Sequence, residues 1–354
     1  MPLVKTVKVC DALCGFGKTS AAINLMNNDE ERRFIFATQY LTEVERIKNA
    51  CPERNFVSPE HKMAHGLKKL EDLHALLNNK ENIATTHALL STFNEETVRL
   101  LKENRYVLII DEIIDANKFS NIPKCDLDIL IKSGAISDPE DDTSMRSWLD
   151  DDYDMNNGRF AEEAILSKSN NFIRYDDAHF FWSFHPEIFK AFDEVYVLTY
   201  LFAGQPLKWY FDMYDIGCEY IGVKKTGGAY TYCPIEEMDR SLDLRSKIHI
   251  LDNKKLNSIG DMKYKLSYKW YSNAKRDNLD ALSVLNRNVY NFFRNIVDAR
   301  SGEVMWTTYK EFRSFIQPRS YSKSFIPYNK RATNEFSNRK YLAYCINLFP
   351  RPWE

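Results

Sequence analysis

Eight consecutive residues near the start of the chain, Ala12-Leu13-Cys14-Gly15-Phe16-Gly17-Lys18-Thr19, have the types and spacing to hold a polyphosphate. An apolar run (Val7 to Leu13) precedes the glycines and a helix-forming run (Ser20 to Met26) follows. Strand, glycine-rich turn and helix in that order aim free backbone N–H groups at phosphate oxygens. Gly15 and Gly17 let the backbone approach without a Cβ in the way. Cys14, Gly15, Phe16, Gly17, Lys18, Thr19 and Ser20 are therefore the expected phosphate-binding set. Lys18 would reach the β- and γ-phosphates, and the Thr19 hydroxyl would face Mg²⁺. The bland alternative is a glycine-rich turn that binds nothing.

A second group answers the first. Val107-Leu108-Ile109-Ile110 reads as a buried strand, with Asp111 and Glu112 at its C-terminal end. Ligands of open α/β sheets bind outside that end. Asp111 would hold Mg²⁺ through water, and Glu112 would polarise an attacking water. Lys18 and Glu112 are then the expected catalytic residues, and Thr19 and Asp111 the metal-binding ones. A strand ending in solvated acids is common; the two groups in this order, each on the expected element, are much rarer.

The elements that must position these residues alternate. Expected strands are Val7–Leu13, Phe34–Thr38, Ile83–Thr86 and Val107–Ile110; expected helices are Ser20–Asn27, Leu41–Ala50, Gly66–Asn78 and Glu95–Glu103. Leu67, Leu70, Leu73, Leu76 and Leu77 follow helical spacing. Such alternation predicts a parallel sheet with helices on both sides. Val195–Leu201, a helix Pro206–Tyr214 and a strand Glu219–Val223 continue the same domain. Between them, roughly residues 116 to 190 read as an insertion with two solvated acidic runs, Asp138–Asp142 and Asp150–Asp154. Its aromatics Phe180, Phe181, Trp182 and Phe184 are read as packing rather than as a base-stacking platform. A second domain is expected from about Pro234–Leu244, with a strand Ile248–Leu251, a helix Leu279–Val297 and a strand Val304–Thr307.

Composition sets the bounds. At 354 residues the chain exceeds what one core usually serves, so two domains are expected. No run approaches the roughly 18–20 apolar residues of a membrane span, and Met1-Pro2-Leu3-Val4-Lys5 leads into the first strand without a signal-peptide pattern. The seven cysteines form no C-x-x-C pair, which fits a reduced, cytoplasmic setting without a structural metal. The net charge of −2 hides an asymmetry: Asp111–Glu163 holds fifteen acids against five bases, and Lys310–Arg351 nine bases against two acids. The first run is read as an exposed face. The second, with Arg319, Tyr321, Lys323, Phe325 and Tyr328, could track a polyanion while its rings stack bases, or be an ordinary basic surface over core aromatics.

The form A-x-x-G-x-G-K-T, with Ala12 where the strict phosphate loop has glycine, resembles that of superfamily-2 DNA/RNA helicases. More narrowly, the chain resembles helicase-like proteins encoded by tailed bacteriophages and prophages. Phe36-Ala37-Thr38-Gln39-Tyr40, Ala84-Thr85-Thr86-His87-Ala88-Leu89, Leu198-Thr199-Tyr200-Leu201-Phe202, Met305-Trp306-Thr307-Thr308 and Lys330-Arg331-Ala332-Thr333-Asn334-Glu335-Phe336 fall in order where such proteins keep their later motifs. The resemblance implies an α/β P-loop NTPase with two RecA-like lobes: residues 1–235 with the insertion at about 116–190, and residues 236–354 as a second, short lobe. It implies ATP and Mg²⁺ as cofactors, with ATP between the lobes. It also implies contacts of Thr38, Thr86, Thr308, Arg331, Thr333 and Asn334 with a single-stranded or forked nucleic acid, DNA before RNA. Departures are Ile114 where helicases carry Asp or His, Thr199-Tyr200 in place of Ser-Ala-Thr, and no Q-x-x-x-R-x-x-R-like segment. The last implies an arginine finger from a partner or a tail. The expected function is a nucleic-acid-dependent ATPase of phage replication or recombination in the host cytoplasm. The alternatives are an ATP-gated binding module with little hydrolysis and a terminase-like packaging ATPase.

Overall fold

The computed structural model describes residues 6–60, 69–120, 122–137, 145–154, 157–167, 172–174, 180–238, 245–260, 263–330 and 335–349. The chain divides into two compact units, Met1–Leu242 and Asp243–Glu354.

In the first unit strand and helix alternate as β1 (Thr6–Asp11), α1 (Lys18–Asn28), β2 (Arg33–Thr38), α2 (Leu41–Ala50), α3 (Lys69–Asn78), β3 (Ile83–Thr86), α4 (His87–Leu90), α5 (Glu95–Asn104) and β4 (Tyr106–Asp111). The insertion supplies β5 (Asn117–Phe119), α6 (Lys124–Lys132), β6 (Met145–Arg146), α7 (Ala161–Leu166), β7 (Phe172–Arg174), β8 (Phe180–Ser183) and α8 (Pro186–Ala191). The main sheet resumes with β9 (Glu194–Thr199), α9 (Pro206–Met213), β10 (Gly217–Thr226) and β11 (Ala229–Pro234).

Seven strands form one sheet in the order β11-β10-β1-β9-β4-β2-β3. All neighbours run parallel except the β10–β11 hairpin. The six residues of β4 are all buried, which is why the run reads as continuously apolar rather than alternating. Each Val, Leu or Ile so buried contributes about 1.5–3 kcal/mol. Two apolar cores lie on the sheet's faces. One holds Leu73, Leu108, Ile110, Phe189 and Phe211; the other holds Ala21, Met26, Phe34, Ile109 and Leu198.

The insertion is more ordered than its composition suggests. Its strands form a separate antiparallel sheet, β5-β8-β7-β6. Trp182 and Phe184 are buried in the core, ring to ring at 5.7 Å, as packing residues. The acidic run at 150–154 is a turn whose carboxylates accept nearby amides, Asp152 N–H on Asp150 Oδ1 and Asn157 N–H on Asp154 Oδ1. The run Asp138–Asp142 lies outside the described residues.

The second unit holds α10 (Lys254–Asn257), α11 (Tyr268–Asp277) and α12 (Leu279–Asn291), the last continued by one wide turn at Phe292–Ile296. A two-stranded parallel sheet of β12 (Val304–Thr307) and β13 (Tyr341–Tyr344) follows, with the short helix α13 (Arg313–Ile316) between its strands. Trp306 is fully enclosed, its indole N–H donating to the Tyr321 carbonyl at 2.8 Å. The strand expected at Ile248–Leu251 is not formed. Ile248 and Ile250 are 64% and 87% exposed, and the segment has no partner strand among the described residues. An apolar pattern makes a strand only where a ladder and a core receive it.

Candidate functional site

All residues of the candidate site belong to the first unit and gather where β1, β9 and β4 end. The strand β9 sits between the other two, so the two motifs are not direct neighbours in the sheet. It joins them through its last carbonyls. Ala12 N–H donates to Thr199 O and Glu112 N–H to Leu198 O, both at 3.0 Å.

β1 ends at Asp11, two residues earlier than its apolar run suggests, because the turn claims Ala12 and Leu13. Cys14 and Gly15 are exposed on the turn, Phe16 is half-buried, and Ser20 is exposed on the first turn of α1. Gly17 is the N-cap of α1 at φ 88°, a left-handed conformation that favours glycine. A Cβ there would stand 2.3 Å from the ring of Tyr230 on β11. No side chain caps the helix, so its first amides face outward without a side-chain acceptor. Lys18 Nζ donates to the carbonyls of Ala12 at 2.6 Å and Leu13 at 3.1 Å, which folds the ammonium over the turn.

Thr19 and Asp111, 92 residues apart in sequence, meet. Thr19 Oγ1 lies 3.1 Å from Asp111 Oδ1 and 3.0 Å from Oδ2. Asp111 is 9% exposed. Burial pushes its carboxyl up to about 6; the negative Glu112 and Glu43 act in the same direction, and the Thr19 hydrogen bond and Arg46 oppose them. A buried carboxylate with a hydroxyl beside it, and too little positive charge nearby, is a hard-oxygen donor set that fits Mg²⁺. Glu112 follows at φ 68° and is half-buried. A left-handed backbone at a non-glycine residue costs about 1–2 kcal/mol, and such strain tends to concentrate at functional sites.

Three neighbours had no role in the sequence reading. Asp11 accepts the Leu201 and Phe202 amides at 2.8 and 2.9 Å and so ties β1 to the turn after β9. Its signal was its position directly before the loop. His87, the first residue of α4 directly after β3, is held neutral: burial lowers its pKa to about 4 against the backbones of Ala37 and Asp111 and the charge of Asp115. The segment containing it was noted, the residue was not. Tyr230, the ring over Gly17, comes from a hairpin that no local pattern linked to the loop.

The expected nucleic-acid contacts are less well placed. Thr38 ends the interior strand β2 and is 2% exposed, and Thr308 lies in the core of the second unit at 1%. Neither side chain is open to solvent, Thr38 closing an interior strand and Thr308 lying one residue past β12 within the packed second unit. Thr86, beside Thr38 in the β2–β3 register, is half-buried. Arg331, Thr333 and Asn334 lie outside the described residues. Of the basic segment, Arg319 and Lys323 are exposed, while Tyr321 is buried and Phe325 packs under Arg313 at 4.6 Å. Ile114, 3% exposed, belongs to the core.

Beside the glycine-rich turn lies a cleft of about 450 Å³, lined by Leu13, Phe16, Tyr200, Tyr220 and Met238 among others. All seven cysteines are free thiols, and no helix among the described residues is long and apolar enough to cross a membrane.

Residues 242–354 match the family described as the YonV C-terminal Rossmann-like domain. The whole chain is similar to the SPbeta prophage-derived uncharacterized protein YonV of Bacillus subtilis (strain 168), 37% identical over 362 residues, covering 99% of this chain and 86% of the relative. With an α/β fold, a mostly parallel main sheet and a Rossmann-like C-terminal domain, the chain belongs to the YonV family of prophage-derived proteins.

Proposed function

We propose that this protein is a Mg²⁺-dependent ATP hydrolase of P-loop type whose turnover responds to nucleic acid, with a helicase-like plan of two α/β lobes. The observation that carries the proposal is the meeting of Thr19 with both oxygens of the buried Asp111, at the head of a helix whose first amides lack a side-chain cap. Such a helix terminus attracts phosphate.

In this reading the amides of residues 15–20 cradle the phosphates. Lys18 exchanges its two loop carbonyls for phosphate oxygens. Thr19 and Asp111 are the residues that would hold Mg²⁺, which when bound supplies charge neutralisation at the transferring phosphoryl group. Glu112 accepts a proton from the attacking water. Asp11 keeps the turn after β9 in register with the loop, so a change at the phosphates is felt at Leu201 and Phe202.

A second reading, a nucleotide-gated binding module with little turnover, is favoured by Ile114. The helicase resemblance places an acid or histidine there, and this chain buries an aliphatic residue in the core. The packaging-motor alternative finds no metal-ligating trio among the described residues and is not carried further. The discriminating measurement is ATP turnover with and without Mg²⁺ and single-stranded DNA. Mg²⁺-dependent turnover that rises with DNA supports the hydrolase. Tight ATP binding without turnover supports the module, and no ATP binding at all overturns both.

A further inference from the structure

The second unit contains a larger cleft, of about 760 Å³, that has no part in the nucleotide site. Its floor is the turn before α11 and the first turn of that helix, the sequence Lys263-Tyr264-Lys265-Leu266-Ser267-Tyr268-Lys269-Trp270. Aromatic and basic residues alternate along it. Tyr264, Tyr268 and Phe349 are 66%, 51% and 46% exposed, an unusual amount of aromatic surface to leave in water. The rings are arrayed rather than scattered: Tyr264 faces Phe349 at 5.8 Å, tilted 31°, and Tyr268 meets Tyr309 edge-on at 5.3 Å.

Charge is equally one-sided. Lys263, Lys265 and Lys269 line the cleft and no acid does, among the described residues. None of the three ammonium groups has an ion-pair partner among those residues. Lys263 Nζ lies 5.4 Å from the Tyr264 ring and Lys265 Nζ 5.8 Å from the Trp270 ring. The walls are held in place. Asn347 donates its side-chain amide to the carbonyls of Lys263 and Lys265 and its backbone N–H to Leu266 O, while its own carbonyl accepts the Tyr309 hydroxyl. One asparagine thus fastens the C-terminal segment, the basic turn and the far wall together.

Open aromatic faces with interleaved lysines suit a ligand that offers planar rings and a phosphate at regular intervals. We propose that this cleft binds single-stranded nucleic acid, bases stacking on Tyr264, Tyr268 and Phe349 and phosphates meeting Lys263, Lys265 and Lys269. A duplex keeps its base faces stacked inside and could use only the lysines. The inference goes beyond the proposed ATPase, which names no strand-binding surface, and it rests on the chemistry of this cleft alone.

The test is fluorescence anisotropy of the full-length protein with labelled oligothymidylate, oligouridylate (each about 20 nucleotides, enough for one extended site) and a duplex, without nucleotide. Binding is expected for one or both single strands, ahead of the duplex; the two strands separate a DNA preference from an RNA one. Tyr264→Ala should weaken it on the order of 10-fold or more, and Tyr264→Phe should keep it within about twofold, since stacking survives loss of the hydroxyl. Lys265→Gln should lower the slope of log affinity against log salt by about 0.7. No binding by the unaltered protein at low salt, duplex binding equal to single-strand binding, or Tyr264→Ala and Lys265→Gln both indistinguishable from the unaltered protein would each overturn the proposal. ATP turnover is read separately, with and without nucleic acid, so a protein that binds strands but hydrolyses nothing in either condition sinks the ATPase reading and leaves this one standing.

Discussion

Replacing Asp111 by Asn should make the ligand-free protein more stable at neutral pH while abolishing the proposed binding of Mg²⁺. In the folded protein burial raises the Asp111 carboxyl to about 6, against 3.8 for the free side chain. The fold therefore holds the proton more tightly than the unfolded chain between about pH 4 and pH 6, and stability falls as pH rises through that interval. At about 1.4 kcal/mol per decade, the ionised carboxylate costs the first unit about 3 kcal/mol at pH 7 and about half of that at pH 5. Asn keeps an oxygen for the Thr19 hydroxyl and carries no charge. Amide hydrogen exchange on the fully buried strand β4 reads the opening free energy of this unit without requiring both units to unfold together. Asp111→Asn should slow exchange there on the order of 100-fold at pH 7, with a smaller gap at pH 5. Mg²⁺ with ATP should slow exchange in the unaltered protein and not in the variant. A variant less protected than the unaltered protein at pH 7, or a gap that does not shrink on acidification, would refute the reasoning.

Other changes separate the roles. Lys18→Ala should abolish ATP turnover with an unchanged far-ultraviolet circular dichroism spectrum; full turnover would remove Lys18 from the site. Glu112→Gln should retain ATP binding by calorimetry and lose about 10²–10⁴ in turnover, the usual share of a general base. Gly17→Ala meets both a φ of 88° and the Tyr230 ring, so it should lower stability by at least about 1 kcal/mol in urea unfolding. Tyr230→Ala in addition should recover only the part owed to the ring. Asp11→Asn should speed proteolysis within residues 200–205, because the Leu201 and Phe202 amides lose a charged acceptor.

Much of the first unit was legible because its chemistry is local. A glycine-rich turn between an apolar strand and a helix, and two acids after four apolar residues, are short patterns with one economical geometry. The structure brings Thr19 to Asp111 at hydrogen-bond distance. The strands of the parallel sheet were visible for the same reason: buried on both faces, they read as continuous apolar runs. What was hidden depends on distant partners. β11 is a weak strand by itself, half-exposed on most of its length, and gains its place from the Gly227-Gly228 turn and from packing against α1. Ile248 and Ile250 form an apolar pattern that finds no partner strand among the described residues. Thr38 and Thr308 were assigned outward roles from motif position, yet exposure at or just past a strand's end is set by the packing around it, and both are buried. The aromatic–basic cleft was missed because its wall closes only when Phe349 and Asn347 return beside residues 263–266.

The middle strand is the part of the site with the most to say about mechanism. β9 contributes no side chain to the set read from the motifs, yet its terminal carbonyls hold Ala12, at the start of the glycine-rich turn, and the backbone of Glu112. Thr199, 4% exposed, hydrogen-bonds Gln205, and Gln205 in turn donates to the Tyr200 carbonyl. The turn after β9 is therefore closed on itself and anchored to Asp11. A rigid tie of this kind transmits displacement better than a loose loop does, because packed elements shift between discrete arrangements rather than deform continuously. Tyr200 and Leu201 leave that turn exposed, 41% and 61%, and Tyr200 lines the cleft beside the loop. Any event that moves the backbone at Ala12 or Glu112 must either carry those two side chains with it or break a hydrogen bond to β9. On the proposed hydrolase reading, then, the path from the phosphates to the surface runs through backbone bonds to a strand that bears none of the expected catalytic residues, with Asp11 as a charged link.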